Sequence, residues 1–447
     1  MAIAMICSCG FIILEHNPGG IDVTDEIKSA NRYRWAVWGS MVLAYMVVFF
    51  HRLAAGVVRA DITEAFDLSP SAFGNMASAY FYAYMVMQIP VGMMADSLGA
   101  RMTVSIGMLL AGTGSVVFGM APTPFWLLAG RFMVGIGVST VFVSILKVQS
   151  QWFKEREFGT MSGLTSFVGN MGGVLAQAPL ALLVGIFSWR ASFVTIGIGT
   201  LLIALLCWTV IRNKPEDKGY PPVSEQSGAG KVAPLPLIQS LKISASNWRL
   251  WPVFVFFGCY SGVYLAFSGT WGTPYLQDVY HMTVGQASSI VSYAVYGTIL
   301  GGFSAGAISD KLGLRKTPLI AMNLVATAVW LTIVILWKGM PPVMALRPLF
   351  FLAGFSATSY VISWAIIKEI NHPQSTGVAI ALVNTGAFLG SALITTFMGK
   401  VLENLSHLPP QARFTSALWI CLGATVLGLV CSFLFPETRC RNTYNRP

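Results

Sequence analysis

The sequence contains GMMADSLGAR at residues 92–101 and a second version, GAISDKLGLR, at residues 306–315. These align Asp96 with Asp310, and the same interval carries Gly163 to Gly377, Asn170 to Asn384 and Tyr82 to Tyr296. Landmarks agreeing on one interval mark an internal duplication. Composition says what is duplicated. Of 447 residues 55% are hydrophobic and 10% charged, against about 25% charged in soluble domains, and the mean hydropathy is +0.66. A charged, glycine-containing decapeptide between long apolar runs is a short turn between two membrane spans. Each half is therefore a bundle of spans, and the chain is an integral membrane protein.

Working outward, runs of about twenty apolar residues fall at about 35–58, 70–95, 102–121, 124–151, 158–186, 191–211, 250–273, 284–309, 317–337, 343–367, 375–401 and 413–435. The expected architecture is all-α: twelve transmembrane helices as two six-helix repeats. Lys and Arg crowd one set of alternate segments. The other set holds Arg59, Arg190, Lys338, Arg347, Lys400 and Arg413. By the positive-inside rule both termini are expected in the cytoplasm. That bias explains the net charge of +10 without a nucleic-acid partner. The division is an N-terminal cytoplasmic segment 1–33, a bundle 34–211, a linker 212–249 rich in Pro, Gly, Ser and charge, a bundle 250–436 and a tail 437–447. Residues 1–14, MAIAMICSCGFIIL, lack the basic region and cleavage site of a signal peptide and read as an interfacial segment or an upstream start. Cys7, Cys9, Cys207, Cys259, Cys421, Cys431 and Cys440 show no metal-site spacing and read as reduced packing residues. No metal or cofactor is expected. With no Walker-type loop or nucleophile–base signature, an enzyme or an ATP-driven pump is disfavoured.

The repeated G-x-x-x-D-x-x-G-x-R resembles the loop motif of the major facilitator superfamily, and GRFMVGIG (130–137) resembles that superfamily's span 4 motif. The resemblance covers about residues 34–436. It implies alternating access, two bundles rocking around a midplane site, with Gly92, Asp96, Gly99, Arg101, Asp310, Gly313 and Arg315 as gating residues. Physically, the glycines let helices approach, and the aspartates accept hydrogen bonds from nearby Arg and from helix N-termini. A purely topogenic role for Arg101 and Arg315 is the plainer alternative.

The charges expected inside spans are His51 and Arg52 in span 1 and Arg131 and Lys147 in span 4, with no acid in the middle of any span. A cavity with fixed positive groups and no carboxylate favours anions, and Arg suits bidentate grip on a carboxylate. FFHRLAAGVVRADITEAFDLS (49–69) resembles the span 1 region of the superfamily's organic anion:cation symporters. That resemblance implies Arg52 as substrate anchor and Arg131 as a second basic residue. It departs where His51 replaces an acid, so a proton is the candidate coupling ion and His51 its candidate carrier. The alternative places His51 at the outer interface. Lys147, seven residues before Lys154, either faces the cavity or snorkels to the surface. Tyr84 on a face with Tyr80 and Gln88, Asn170 with Gln177, and Asn384 are further substrate candidates, although helix–helix hydrogen bonding explains the amides equally well. Tyr260, Tyr264, Phe267, Trp271 and Tyr275 form an aromatic face that either packs or lines the site, ending in a GTWGTP segment read as a hinge.

The expectation is a monomeric multi-pass transporter in a cell inner membrane, with the lipid bilayer and a small, anionic substrate as partners. The lead substrates are carboxylates, sugar acids and phosphorylated metabolites. Export of drug-like or siderophore-like compounds, uptake of an uncharged amino acid or nucleoside, and a sensor that transports nothing are the alternatives.

Overall fold

Inside a bilayer every backbone N–H and C=O must find a partner within its own segment, and long charge-free runs accordingly become helices. The computed structural model describes residues 23–221, 236–441 and 443–444. The reading of residues 1–22, including Cys7 and Cys9, and of the linker between 222 and 235 lies outside them. In the first half run α1 (Val23–Leu53), α2 (Arg59–Phe66), α3 (Pro70–Ser97), α4 (Gly99–Gly119), α5 (Pro124–Trp152), α6 (Glu155–Leu175), α7 (Ala178–Phe187) and α8 (Trp189–Val210). The linker carries α9 (Leu237–Ser246). The second half has α10 (Leu250–Ala266), α11 (Gly272–Tyr280), α12 (Val284–Leu312), α13 (Lys316–Leu331), α14 (Val343–Ala357), α15 (Tyr360–Ile370), α16 (Thr376–Asn404) and α17 (Pro410–Phe433). Among the described residues there is no strand.

Among the described residues eleven helical segments are long and apolar enough to cross a membrane. The remaining expected span, 70–95, forms the 28-residue α3 but falls outside that apolar set. Several expected boundaries shift. The first helix starts at Val23 and ends at Leu53, where a 3-10 turn, Ala55–Val58, takes over. The fifth span breaks at Gln177, because Pro179 in the first turn of α7 has no N–H to continue the ladder. The tenth divides between Ala357 and Tyr360. The expected hinge in GTWGTP is instead a π-helical turn, Phe267–Trp271, continuous with α10 and α11.

Within the first half α4 packs on α5 and α8, and α1 on α5 and α6; in the second, α10 packs on α16 and α17, and α12 on α14. A Cβ on Gly130, in the 130–137 motif, would lie 2.7 Å from the Gly114 carbonyl oxygen, so α4 and α5 touch backbone to backbone. Between the halves, α3 meets α16, and α6 and α7 meet α12.

The two ends of the molecule differ. At the end away from the linker, here the far end, the halves are fastened. Arg59 Nη1 reaches both Asp278 carboxylate oxygens at 2.9 and 3.1 Å. Glu403 accepts from Ser69 Oγ at 3.0 Å and the Ser71 N–H at 3.1 Å. Gly56 abuts the Thr270 carbonyl. At the linker end the described ion pairs, Arg34–Glu157, Lys147–Asp96, Arg315–Asp310 and Arg315–Glu369, each stay within one half.

Candidate functional site

The break after Leu53 leaves the last turn of α1 against the other half, with Tyr45, Phe49 and Arg52 on one helical face at four- and three-residue steps. Arg52 lines a chamber of about 100 Å³ together with Tyr84, Phe142, Phe257, Ser261, Tyr360, Trp364, Asn384 and Phe388. Tyr45, Phe49, Phe142, Tyr360 and Trp364 also line an adjoining cavity of about 380 Å³, whose walls on α6 and α12 run through Ser162, Asn170 and Phe303. Among the residues lining these two spaces Arg52 alone carries charge.

The guanidinium lies over the rings of Phe49, Tyr84 and Phe388, at 4.9, 5.4 and 5.3 Å from their centroids. Its polar neighbours are the phenols of Tyr80, Tyr84 and Tyr45, and its Nε has no hydrogen-bond partner. Among the described residues no carboxylate lies within ion-pair distance of it. A guanidinium kept among rings, without a protein counter-ion, is a standing demand for an anion.

His51, one residue earlier, points elsewhere, because successive helical side chains diverge by about 100°. It is 1% exposed, tilted against Phe193 at 6.3 Å, and neither ring nitrogen has a partner. The outer-interface alternative is thus overturned by burial within the first bundle. Arg131 is also buried. Its Nη1 donates to the His51 carbonyl at 3.0 Å and its guanidinium lies 5.1 Å over the Tyr80 ring. It caps the end of α1, where exposed carbonyls attract cations, and does not line the chamber. Lys147 is not there either: its Nζ donates to Asp96 Oδ1 and to the Ala95 carbonyl, both at 2.8 Å, which is the snorkelling alternative.

The other candidates divide. Tyr84 and Asn384 line the chamber, and the Asn384 amide donates to Gln88 Oε1 at 2.9 Å across the halves. Asn170 lines the wider cavity, with its amide donating to its own helix at Ser166. Tyr264 stands one layer behind, 3.3 Å from Thr298. Gln177 and Trp271 belong to the far-end seam. The Gln177 amide donates to Leu53 and Ser268 carbonyls at 3.3 and 3.2 Å, and the Trp271 indole donates to the Thr395 carbonyl at 3.0 Å. Sequence reasoning missed Tyr45, Phe49, Phe142, Phe257, Tyr360, Trp364 and Phe388. The spacing of Tyr45 and Phe49 ahead of Arg52 was a usable signal; the rest meet through tertiary packing.

The repeated loops are no longer alike. Arg101 Nε donates to the Trp208 carbonyl at 2.8 Å, and the guanidinium stacks over the indole; Asp96 accepts from Lys147 instead of from an Arg. Arg315 donates to Asp310 at 2.5 Å and to Glu369 at 3.1 and 3.2 Å, and Thr438 donates to Glu369 in turn. Burial opposes the Arg315 charge, but the Asp310 and Glu369 carboxylates outweigh it and raise its pKa. Burial likewise pushes the Glu437 carboxyl up, and the N–H groups of Arg315, Arg439, Lys316 and Thr317 prevail and hold it below the usual carboxylate range. Gly99 and Gly313 take positive φ, +80° and +63°, as turn residues do. Gly92 has no neighbour within 4 Å of where its Cβ would be, so it mediates no close approach in this conformation.

A helical molecule of two fastened halves with a chamber between them is the architecture of a secondary transporter. The family model of the Major Facilitator Superfamily matches residues 41–395 and, in a second match, 266–445. The chain belongs to that superfamily and is a multi-pass membrane protein. It is 26% identical over 412 residues to the membrane sensor protein UhpC of Salmonella typhimurium, covering 85% of this chain and 89% of the other. It is 24% identical over 439 residues to the probable galactarate/D-glucarate transporter GudP of Bacillus subtilis, covering 90% and 91%. Among solved structures, a bacterial homolog of the human lysosomal transporter Spinster, inward-facing and unoccupied, has the same fold: TM-score 0.71, 19% identity, 90% of this chain and 98% of that one.

Proposed function

We propose that the protein is a secondary active transporter that carries a small organic anion by alternating access, with Arg52 as the anchor. One observation carries this reading: a guanidinium with no carboxylate within ion-pair distance among the described residues lines a chamber between the halves. The name of the relative GudP supports an acidic substrate. The bias of Lys and Arg makes the linker end cytoplasmic. With the far end fastened across the halves and the described linker-end pairs confined to single halves, the conformation is inward-open. α3 then serves as the twelfth span, its polarity tolerated because it packs between the bundles. His51 is the candidate proton carrier: a proton placed there would repel Arg131, loosen the clamp on the end of α1 and so reach Arg52 through the chain.

The test is uptake into proteoliposomes of labelled mono- and dicarboxylates, each against its uncharged amide. A charge-assisted hydrogen bond is worth about 1.5–3 kcal/mol, so Arg52→Gln should lower anion uptake on the order of tenfold to a hundredfold. Uptake of the amides at the rate of the acids, unchanged in Arg52→Gln, would overturn the reading. The relative UhpC is named a sensor, and that alternative predicts anion binding without flux.

A further inference from the structure

We infer that the chamber selects a monocarboxylate carried on an aromatic or similarly flat apolar body, over dicarboxylates and polyhydroxylated sugar acids. The inference rests on the anion reading above and narrows it. Charge comes first. Arg131 is turned into the first bundle on the His51 carbonyl and Lys147 is paired with Asp96, so a ligand meets one positive charge. A second carboxylate on the same ligand would be held among rings without a counter-ion, and an uncompensated buried charge costs several kcal/mol.

The direction of approach comes second. Phe49, Tyr84 and Phe388 cover the guanidinium, with Tyr84 and Phe388 themselves stacked across the halves at 3.9 Å. The edge of N–H groups lies toward the phenols of Tyr80 and Tyr84, so a carboxylate gripped there through two parallel bonds competes with two hydroxyls and with no carboxylate.

The body of the ligand comes third. Next to Arg52 the walls are rings. Tyr45 and Phe142 are stacked at 5.8 Å, Phe257 meets Trp364 at 5.4 Å and Tyr360 at 5.2 Å, and Phe142 faces Trp364 across the halves at 6.5 Å. Such walls reward another ring by offset or edge contacts. Of the polar groups nearby, the Asn384 amide is committed to Gln88, the Asn170 amide to Ser166 and the Thr298 hydroxyl to Val295, which leaves mainly the hydroxyls of Tyr45, Tyr360 and Ser261 for a ligand. Each hydroxyl of a sugar acid left without a partner would cost about 1–3 kcal/mol. A benzene-sized group needs a cavity of about 150 Å³, more than the chamber of about 100 Å³ that Arg52 lines, so the ring of such a ligand reaches into the adjoining cavity of about 380 Å³.

The experiment is thermal unfolding of the detergent-purified protein, titrated with phenylacetate, gluconate, glucarate and phenylacetamide. We expect phenylacetate to bind at least about tenfold more tightly than gluconate or glucarate, a difference of about 1.4 kcal/mol, and phenylacetamide to cause no shift. Arg52→Gln should abolish the phenylacetate shift, and Trp364→Leu should weaken it about fivefold, within the range of one aromatic contact. If Trp364→Leu does not fold, the wild-type ranking decides alone. Gluconate or glucarate binding as tightly as phenylacetate, or more so, overturns this inference while leaving an anion site at Arg52 standing. No shift with any acid overturns both.

Discussion

Substituting Gly56 by Ala adds a methyl group where the two halves touch at the far end. Its Cβ would lie 2.7 Å from the Thr270 carbonyl oxygen, 3.1 Å from the Thr270 carbonyl carbon and 3.3 Å from the Gly269 oxygen. All three are backbone atoms, so no side chain can rotate away. Gly269 faces the same constraint from the opposite side, 2.7 Å from the Arg52 carbonyl oxygen. Overpacking of this kind costs about 1–3 kcal/mol. The cost falls on the far-end-closed state, because only there do the halves meet. Gly56→Ala should therefore move the balance toward the far-end-open state by about 5- to 150-fold, with little effect on fold stability. Arg59→Ala, which removes a partly exposed ion pair with Asp278, should push the same way by no more than about fivefold. Electron–electron distance measurements on spin labels at Glu64→Cys and Gln286→Cys, both exposed far-end positions in opposite halves, report the balance once Cys7, Cys9 and Cys440 are changed to Ser. A longer-distance component should grow in both variants, most in Gly56→Ala. An unchanged distribution in Gly56→Ala, or a loss of thermal stability without any change in distance, would refute the assignment of this contact to one state.

Three further outcomes follow from the packing. Gly130→Val, at the α4–α5 contact within the first half, should lower thermal stability by about 1–3 kcal/mol and leave the spin-label distances alone, since that contact exists in both states. Lys147→Met breaks a pair whose Asp96 side chain is 82% exposed; it should change ligand affinity by less than about twofold, and a tenfold loss in a binding titration would place Lys147 in the chamber after all. Glu437 has its folded pKa lowered by four backbone N–H groups despite burial. Its contribution is therefore present above the unfolded carboxylate pKa of about 4.3 and lost as pH falls through the lower, folded value. Glu437→Gln should flatten that acid limb in melting curves taken across the carboxylate range.

The membrane class, the helical architecture and the two-fold repeat were legible because hydropathy and spacing act locally. Legibility failed where a proline or a π turn changed the register within an apolar run, as at Gln177 and Phe267–Trp271. The chamber was legible in part. Arg52 could be singled out as a charge in a span, and Tyr45 and Phe49 share its helical face. His51 and Arg52 look like a pair on paper, yet adjacent helical positions face different neighbours, and it is the backbone carbonyl of His51 that is held, by Arg131 from a helix remote in sequence. Phe257, Phe388 and Trp364 come from three different helices of the second half, and only packing brings them to Arg52. The divergence of the two repeated loops, one held by Trp208 and Lys147 and the other by Glu369 and Asp310, likewise depends on residues outside the motif.

Anion recognition rests on one group, the Arg52 guanidinium in the chamber between the halves. An experimental structure of the protein with its tightest-binding carboxylate tests that directly. The carboxylate should lie in the plane of the guanidinium at about 2.7–3.0 Å, between Tyr84 and the second-half rings. A carboxylate resolved on Arg131, at the surface, or with Arg52 turned away from it would rule out Arg52 as the anchor.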